Sequence, residues 1–526
     1  MTKYLIKRIL RSACSIVIVV GIVMVMIYSA LDRNLIFAED SNYQKVNGNA
    51  KEAYKAQQWE EYGYMDYIPY TDWLKAMLLD DEIDQATYAL AAQFGDKCEG
   101  DNDVAAEYIS KFIAAMEDDG YTINALNAQY MPKTVKYKDG GQPFLFATKD
   151  HSVFARLWNY FTGIVVVDNI NYVQDDIDNR GISFTLYDPA YGGDKFAPAI
   201  MGNGTYYKYL FYTDNQFPFI HQNLVRLNLG LSYSVERGID VWNSLTDTQG
   251  SYKMSTITYP TGLIETGADD LHSARYVSGS LEKGTAVIQA RYTDDYTSTT
   301  ANKAGKSKMG YSFICGIGAT ILAYMLAVPM GTLMALKKDK LLDKIGTFYI
   351  MFITAVPSLA YIFLFRAIGS RLFKLPTTFD MENPVWLMYV LPIISLALPS
   401  VANLMKWLRR YMIDQMNSDY VKFARSGGLS EGEIFSKHIL KNAMIPITHG
   451  IPGSILGAMT GAIITERVYV VPGAGNMLTR AIGAYDNGVI VGMVLFYAVL
   501  TVTSVILGDI LMSVIDPRIS YTSKAR

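Results

Sequence analysis

Apolar runs of about 20 residues, the length a helix needs to cross a bilayer core, alternate with charged stretches along this chain. Six stand out, at residues 12–31, 311–336, 345–368 (which contains Pro357), 385–408, 445–465 and 489–515. Between the first and second runs the texture changes. "TDWLKAMLLDDEIDQATYALAAQF" and "DVAAEYISKFIAAMEDD" place apolar residues at three- and four-residue steps, which predicts two amphipathic helices. Thr71 or Asp72 is expected to cap the first, and Asp101 or Asp103 the second. From about Gly140 onward, "SVFARLWNYFTGIVVVD", "GISFTLYD" and "GTAVIQARYT" are short β-branched and aromatic runs between turn residues, and read as strands. The fold class this predicts is an all-α membrane protein of six transmembrane helices, with a large extracellular α+β insertion between the first two. Its parts are residues 1–31, the insertion at 32–310, and a five-helix core at 311–526 containing a charged loop at 412–445.

Charge sharpens this division. The 526 residues carry a net charge of −3, but residues 32–300 hold 38 Asp and Glu against 21 Lys and Arg, while the rest holds 12 against 26. An acidic segment is thus set into a basic, apolar chain. With the N-terminus inside, segments 1–11, 337–344, 406–441 and 516–526 hold 18 Lys and Arg, against five in the short outside loops. The positive-inside rule then places both termini in the cytoplasm and residues 32–310 outside; Lys303, Lys306 and Lys308 run against it. The first run is long for a signal peptide and reads as an uncleaved anchor.

Other chemistry is sparse. Only Cys98 of the three cysteines lies in the insertion, so no disulfide framework can hold it, and the five histidines show no metal-binding spacing. "AGKS" at 304–307 has Thr300 where a phosphate-binding loop needs glycine. The insertion carries 25 of the 38 tyrosines, which suit half-buried strand surfaces.

The charged interruption is "DYVKFARSGGLSEGEIFSKHILKNAMIPI", residues 419–447. Ser418 is placed to cap a helix opened by Asp419, with Lys422 and Arg425 toward its negative end. Gly427 and Gly428 permit the left-handed turn that stops it. Ser430 and Glu433 fit a capping box for a second helix, expected from Glu431 to about Met444 and ending near Pro446. On the first helix Tyr420, Phe423 and Ala424 are expected to share one face, shaped for a groove on a partner protein.

This segment resembles the cytoplasmic loop of binding-protein-dependent ABC importer permeases, most closely those of the dipeptide/oligopeptide permease family. The basic start with the first apolar run, "LNLGLSYSVERGIDVW", "AVPSLAYIFLF", "TERVYVVPGAGNML" and "LGDILMSVIDPRISY" agree, in order. Two features depart from the family pattern. Lys422-Phe423-Ala424 stands where importers generally carry Glu-Ala-Ala, with Gly428 as the spaced glycine, and residues 32 to about 220 are mostly additional. The resemblance implies the type I ABC importer permease fold. It also implies a second homologous permease, two cytoplasmic ATPase subunits that bind ATP and Mg, an extracellular peptide-binding protein, a peptide substrate, and a site in a bacterial cell membrane. No cofactor is expected in this chain, and no nucleic acid. Asp419, Tyr420, Lys422, Phe423, Ala424, Arg425, Gly427, Gly428, Ser430 and Glu433 would couple it to the ATPases.

Polar residues within spans usually face a cavity, which makes Ser358, Asn403, Thr460 and Glu466 candidates for the translocation path. Alternatives are a permease for nickel or glutathione, or a membrane-anchored receptor. Clustered His or carboxylates would favour nickel, and the spans hold no such cluster; a receptor would need an intracellular output domain.

Overall fold

The computed structural model describes residues 2–93, 98–100, 102–126, 144–188, 190, 193, 196–213, 220–277, 279, 281–381 and 385–515. The onset of β structure near Gly140 and the tail 516–526 lie outside these.

Among the described residues, Ile6–Ala30, Lys308–Leu336, Trp386–Met416, Glu431–Tyr469 and Asn487–Ile515 are long and apolar enough to cross a membrane. The expected third span is instead a pair, Leu341–Ala355 and Ser358–Phe373, bent by 110°. The cause is local. Pro357 supplies no N–H and disfavours helical geometry in its predecessor, and Val356 is extended at φ −85°, ψ 130°. The second span starts three residues earlier than its apolar run. Ser307 caps it by accepting the Gly310 N–H at 3.0 Å, and Lys308 pairs with Glu236 and donates to the Ser244 carbonyl at 3.1 Å. That pairing gives one of the three lysines that ran against the charge rule a carboxylate partner.

The fifth span has no separate beginning. The helix opened at Glu431 passes through a π-helical stretch, Ile434–Leu440, then Lys441–His449 with Pro446 inside it, and after Gly450 continues as Ile451–Tyr469. The expected stop at Pro446 fails because burial of Ala443 and Ile447 offsets the one backbone hydrogen bond a proline removes.

The insertion is α+β. A three-stranded sheet has Phe144–Asp150 at its centre, flanked by Met65–Pro69 and Thr122–Leu126. Tyr70, Leu74, Phe112 and Leu145 form its core with the covering helices Tyr70–Leu79 and Asp103–Asp118. A four-stranded antiparallel sheet runs Gly181–Thr185, Ala199–Asn203, Tyr209–Thr213, Ile220–Gln222, so "GISFTLYD" is a strand as expected. Other local expectations change. The first amphipathic run breaks at Asp80 and restarts at Gln85, where Asp84 accepts the Thr87 N–H at 2.8 Å. Its first helix follows Pro69, with Asp72 inside the first turn. Asn102, not an aspartate, caps Asp103–Asp118. "GTAVIQARYT" is the helix Ala286–Arg291 capped by Thr285. "SVFARLWNYF" is the helix Val153–Gly163 capped by Ser152, with the strand Val165–Val167 after it. Both contain enough β-formers to read as strands, but a cap and a packing partner decide local structure over propensity.

Candidate functional site

The helix Asp419–Ser426 is seated by its apolar side. Val421 is fully buried, and Ala424 packs beside it against Leu408, Met412, Ile434, Ile439, Ala443 and Ile447. Phe423 points the other way and is 80% exposed. Tyr420 lies between the two sides, donating to the His438 carbonyl at 3.4 Å and to Gln415 Oε1 at 2.5 Å. The expected common face of Tyr420, Phe423 and Ala424 is therefore divided, because the helix needs Val421 and Ala424 for its own core. Phe423 alone remains as a large apolar knob.

The charges on this helix are held internally. Lys422 bonds Asp419 at 2.9 Å, and its ammonium holds the Asp419 carboxyl below the usual carboxylate range. Arg425 grips both oxygens of Glu431 at 2.7 and 3.1 Å. Ser418 does not cap with its side chain; its hydroxyl donates back to the Gln415 carbonyl at 2.6 Å. Of the glycine pair only Gly428 is left-handed, at φ +83°, while Gly427 has φ −75°. The capping box holds as expected: Ser430 accepts the Glu433 N–H and Glu433 accepts the Ser430 N–H, each at 3.3 Å.

The four candidate path residues do not form one group. Ser358 opens the helix after the bend, and it and Asn403 are exposed. The Thr460 side chain lies outside the description. Glu466 is 1% exposed and accepts the Ser312 hydroxyl at 2.6 Å and the Asn476 N–H at 3.0 Å. Gly473 and Gly475 give it room, since an added Cβ at either would come within 2.4 or 3.0 Å of its Oε2. Glu466 thus fastens the second span and the loop after the fifth.

Three aspartates that the sequence reading passed over organise the rest of the core. Asp343 receives Arg409 Nε and Nη2, both at 2.6 Å, joining the helices Leu341–Ala355 and Val390–Met416. Asp509 pairs with Arg8 and lies 3.5 Å from His449 Nε2. Asp486, fully buried, accepts the Ser232 hydroxyl at 2.7 Å and the N–H groups of Tyr233, Ser234, Val235 and Val489 at 2.9–3.2 Å. Two of the three lie within apolar helices and the third abuts one. The signal available was an isolated carboxylate in or beside apolar sequence, which is costly unless paired.

In the insertion, His272 is buried between Asp188 at 2.6 Å and Asp270 at 3.5 Å, with Tyr212 stacked on its ring. Burial alone would lower its pKa, but the hydrogen bonds to Asp188 and Asp270 push it up to about 9. Among the described residues no group of three or more His, Cys, Asp or Glu side chains could hold a metal ion.

Residues 327–521 match the family described as binding-protein-dependent transport system inner membrane component. Over its whole length the chain is 35% identical to the oligopeptide transport system permease protein AmiC of Streptococcus pneumoniae, covering 99% of that protein. It is 32% identical over 217 residues to the dipeptide transport system permease protein DppB of Lactococcus lactis, spanning 40% of this chain and 69% of that one. It is 30% identical over 211 residues to the oligopeptide transport system permease protein AppB of Bacillus subtilis, spanning 39% and 67%. The fold and these matches define a multi-pass membrane subunit of a binding-protein-dependent ABC importer, a transport component and not an enzyme. Within that class the chain belongs to the dipeptide/oligopeptide permease family.

Proposed function

We propose that this chain is the permease subunit of an ATP-driven importer that takes up oligopeptides delivered by an extracellular binding protein. Both termini and the 412–445 loop lie in the cytoplasm in this reading, and residues 32–310 lie outside. The chain works with a second homologous permease and two cytoplasmic ATPases, and the ATP and Mg are bound by those ATPases. The observation that carries the reading is Phe423, a large apolar side chain 80% exposed on a helix whose other side is fixed by buried Val421.

In this scheme Phe423 seats in an ATPase groove, with Tyr420, Lys422 and Arg425 around it and the pairs Lys422–Asp419 and Arg425–Glu431 stiffening the helix. ATP binding brings the ATPases together and displaces the helix. Val421 and Ala424 pass that displacement to Ile434, Ile439 and Met412, and so to the fourth and fifth spans. The two states of the path differ in how the ATPases hold the loop, so ATP shifts the balance between them. Ser358 and Asn403 face the path, while Glu466 stays a fastening at the outer end.

The test is co-purification of the chain with its ATPases, together with uptake of a radiolabelled oligopeptide. If Phe423→Asp leaves both ATPase association and uptake intact, the coupling role falls. If association and ATPase activity are normal but no oligopeptide is taken up, the substrate class is wrong.

A further inference from the structure

The helix Val153–Gly163 is apolar on two sides. Leu157, Tyr160, Phe161 and Ile164 pack inward on a cluster that contains Val20, Met24 and Ile27 of the first span and Val489, Met493 and Phe496 of the last. The open positions are Phe154, Trp158, Asn159 and Thr162, with Phe154 82% and Trp158 71% exposed. A helix facing water would carry charge on its open side. This one has none there, and the Thr162 hydroxyl returns its hydrogen bond to the Trp158 carbonyl at 2.8 Å, as a hydroxyl in hydrocarbon must. From Val153 to Val167 the only charge is Arg156. Arg156 is 8% exposed, and its guanidinium carbon lies 3.4 and 3.6 Å from the ring centroids of Tyr28 and Tyr64.

Depth is fixed by the first span. A Cβ added at Gly21 would lie 3.9 Å from Cδ2 of Leu157. Gly21 is about 13 Å along the axis from Ala30, at a rise of ~1.5 Å per residue. A side chain from the insertion therefore touches the span well inside its apolar stretch, and the open side of the same helix is at a similar level. The patch continues beyond it through Val165, Val167 and Val225, exposed on one face of a two-stranded ribbon. Exposed apolar surface of this extent marks a covered surface, and aromatic side chains at such a boundary suit a lipid interface.

We propose that the helix Val153–Gly163 is embedded in the leaflet on the insertion's side, with Phe154 and Trp158 among lipid acyl chains. The insertion is thereby anchored in the bilayer as well as tethered by the first and second spans. The inference rests on the reading of the first helix as a span, and the test separates the two. The complete importer is reconstituted in phosphatidylcholine–phosphatidylglycerol nanodiscs with Cys14 replaced by alanine. Nitroxide labels are placed singly through Trp158→Cys, Phe154→Cys, Ile18→Cys in the first span and Glu282→Cys in the insertion. The readout is the ratio of collision rates with oxygen and with a water-soluble nickel chelate. At Trp158 and Phe154 the ratio should match Ile18 and exceed Glu282 clearly. A ratio like that of Glu282 puts the helix in water and overturns the proposal. Poor access to both reagents means that a protein subunit covers it, and also overturns it. A water-like ratio at Ile18 removes the spanning reading itself. Phe154→Cys keeps the test decisive if Trp158→Cys fails to assemble, and ATPase activity of the complex reports assembly.

Discussion

Arg409 holds both carboxylate oxygens of Asp343 in a planar fork, with Nε and Nη2 each 2.6 Å away. Asp343 is 3% exposed, and the pair joins the helix before the 110° bend to the span that leads into the charged loop. Two parallel bonds need a guanidinium, and lysine offers one point charge. Arg409→Lys is therefore expected to lower stability despite keeping the charge. Asp343→Ala removes both bonds and leaves the half-buried Arg409 without its carboxylate, so it should cost more than Arg409→Lys. Thermal unfolding of the detergent-solubilised complex ranks the two, and equal midpoints for Arg409→Lys and wild type would refute the fork.

The Asp486 knot gives a graded pair. Ser232→Ala removes one of the five bonds to Asp486 and the 2.8 Å bond that the Ser232 hydroxyl accepts from the Glu236 N–H, a loss of about 2 kcal/mol. Asp486→Ala orphans several buried N–H groups at once, each costing about 1–3 kcal/mol. The first variant should reach the membrane at near wild-type levels. The second should be degraded or fail to assemble. Quantitative blotting of membrane fractions checks this, and normal levels of Asp486→Ala would show the knot to be dispensable.

Neighbouring residues on the loop helix should fail in different ways. Phe423→Asp alters an exposed knob, so the folded chain should persist in the membrane while ATPase association and uptake are lost. Val421→Asp buries a charge in a closed apolar cluster, so stability should fall first. Protease protection of the loop distinguishes them, and identical protection of both variants would contradict the seating described above.

His272 makes the insertion pH-sensitive. Its pKa in the fold, about 9, lies above the ordinary value of 6.5. Its stabilising contribution is therefore complete below about 6.5 and is lost as pH climbs from there through 9. Asp270, held below its ordinary value against the effect of burial by its hydrogen bond to His272, adds stability that is lost in acid. Hydrogen exchange in the strand Asp269–Tyr276 should accelerate, beyond the intrinsic rate, between pH 7 and 9.5. His272→Gln should flatten that rise, and an unchanged profile in the variant would remove the histidine as its cause.

The membrane frame was legible because its signal is long: a 29-residue apolar helix such as Asn487–Ile515 has no competing reading. The loop was legible because its caps are local chemistry, as Ser430 with Glu433 and Gly428 at positive φ demonstrate. What periodicity missed were decisions made by distant partners. The helix Val153–Gly163 is rich in β-formers but was settled by the first span beside it. The common face of Tyr420, Phe423 and Ala424 was divided by burial against Met412 and Ile434, residues that no helical wheel of eight positions contains. Glu466 looked like a path residue from its place at the end of a span, and its engagement by Ser312, 154 residues away, is invisible to spacing.

The ties at Asp486 have a mechanical consequence. An added Cβ at Gly488 would sit 1.8 Å from the Leu231 carbonyl oxygen, and one at Gly492 would sit 2.8 Å from that of Leu229, so the closest approach at each is to backbone, which cannot swing aside. With Arg237 also bound to Asp40 and Gln58, the single loop 229–237 is tied both to the last span and to the first helices of the insertion. A tilt of the last span would therefore move this loop, and the first helices bonded to it through Arg237, together.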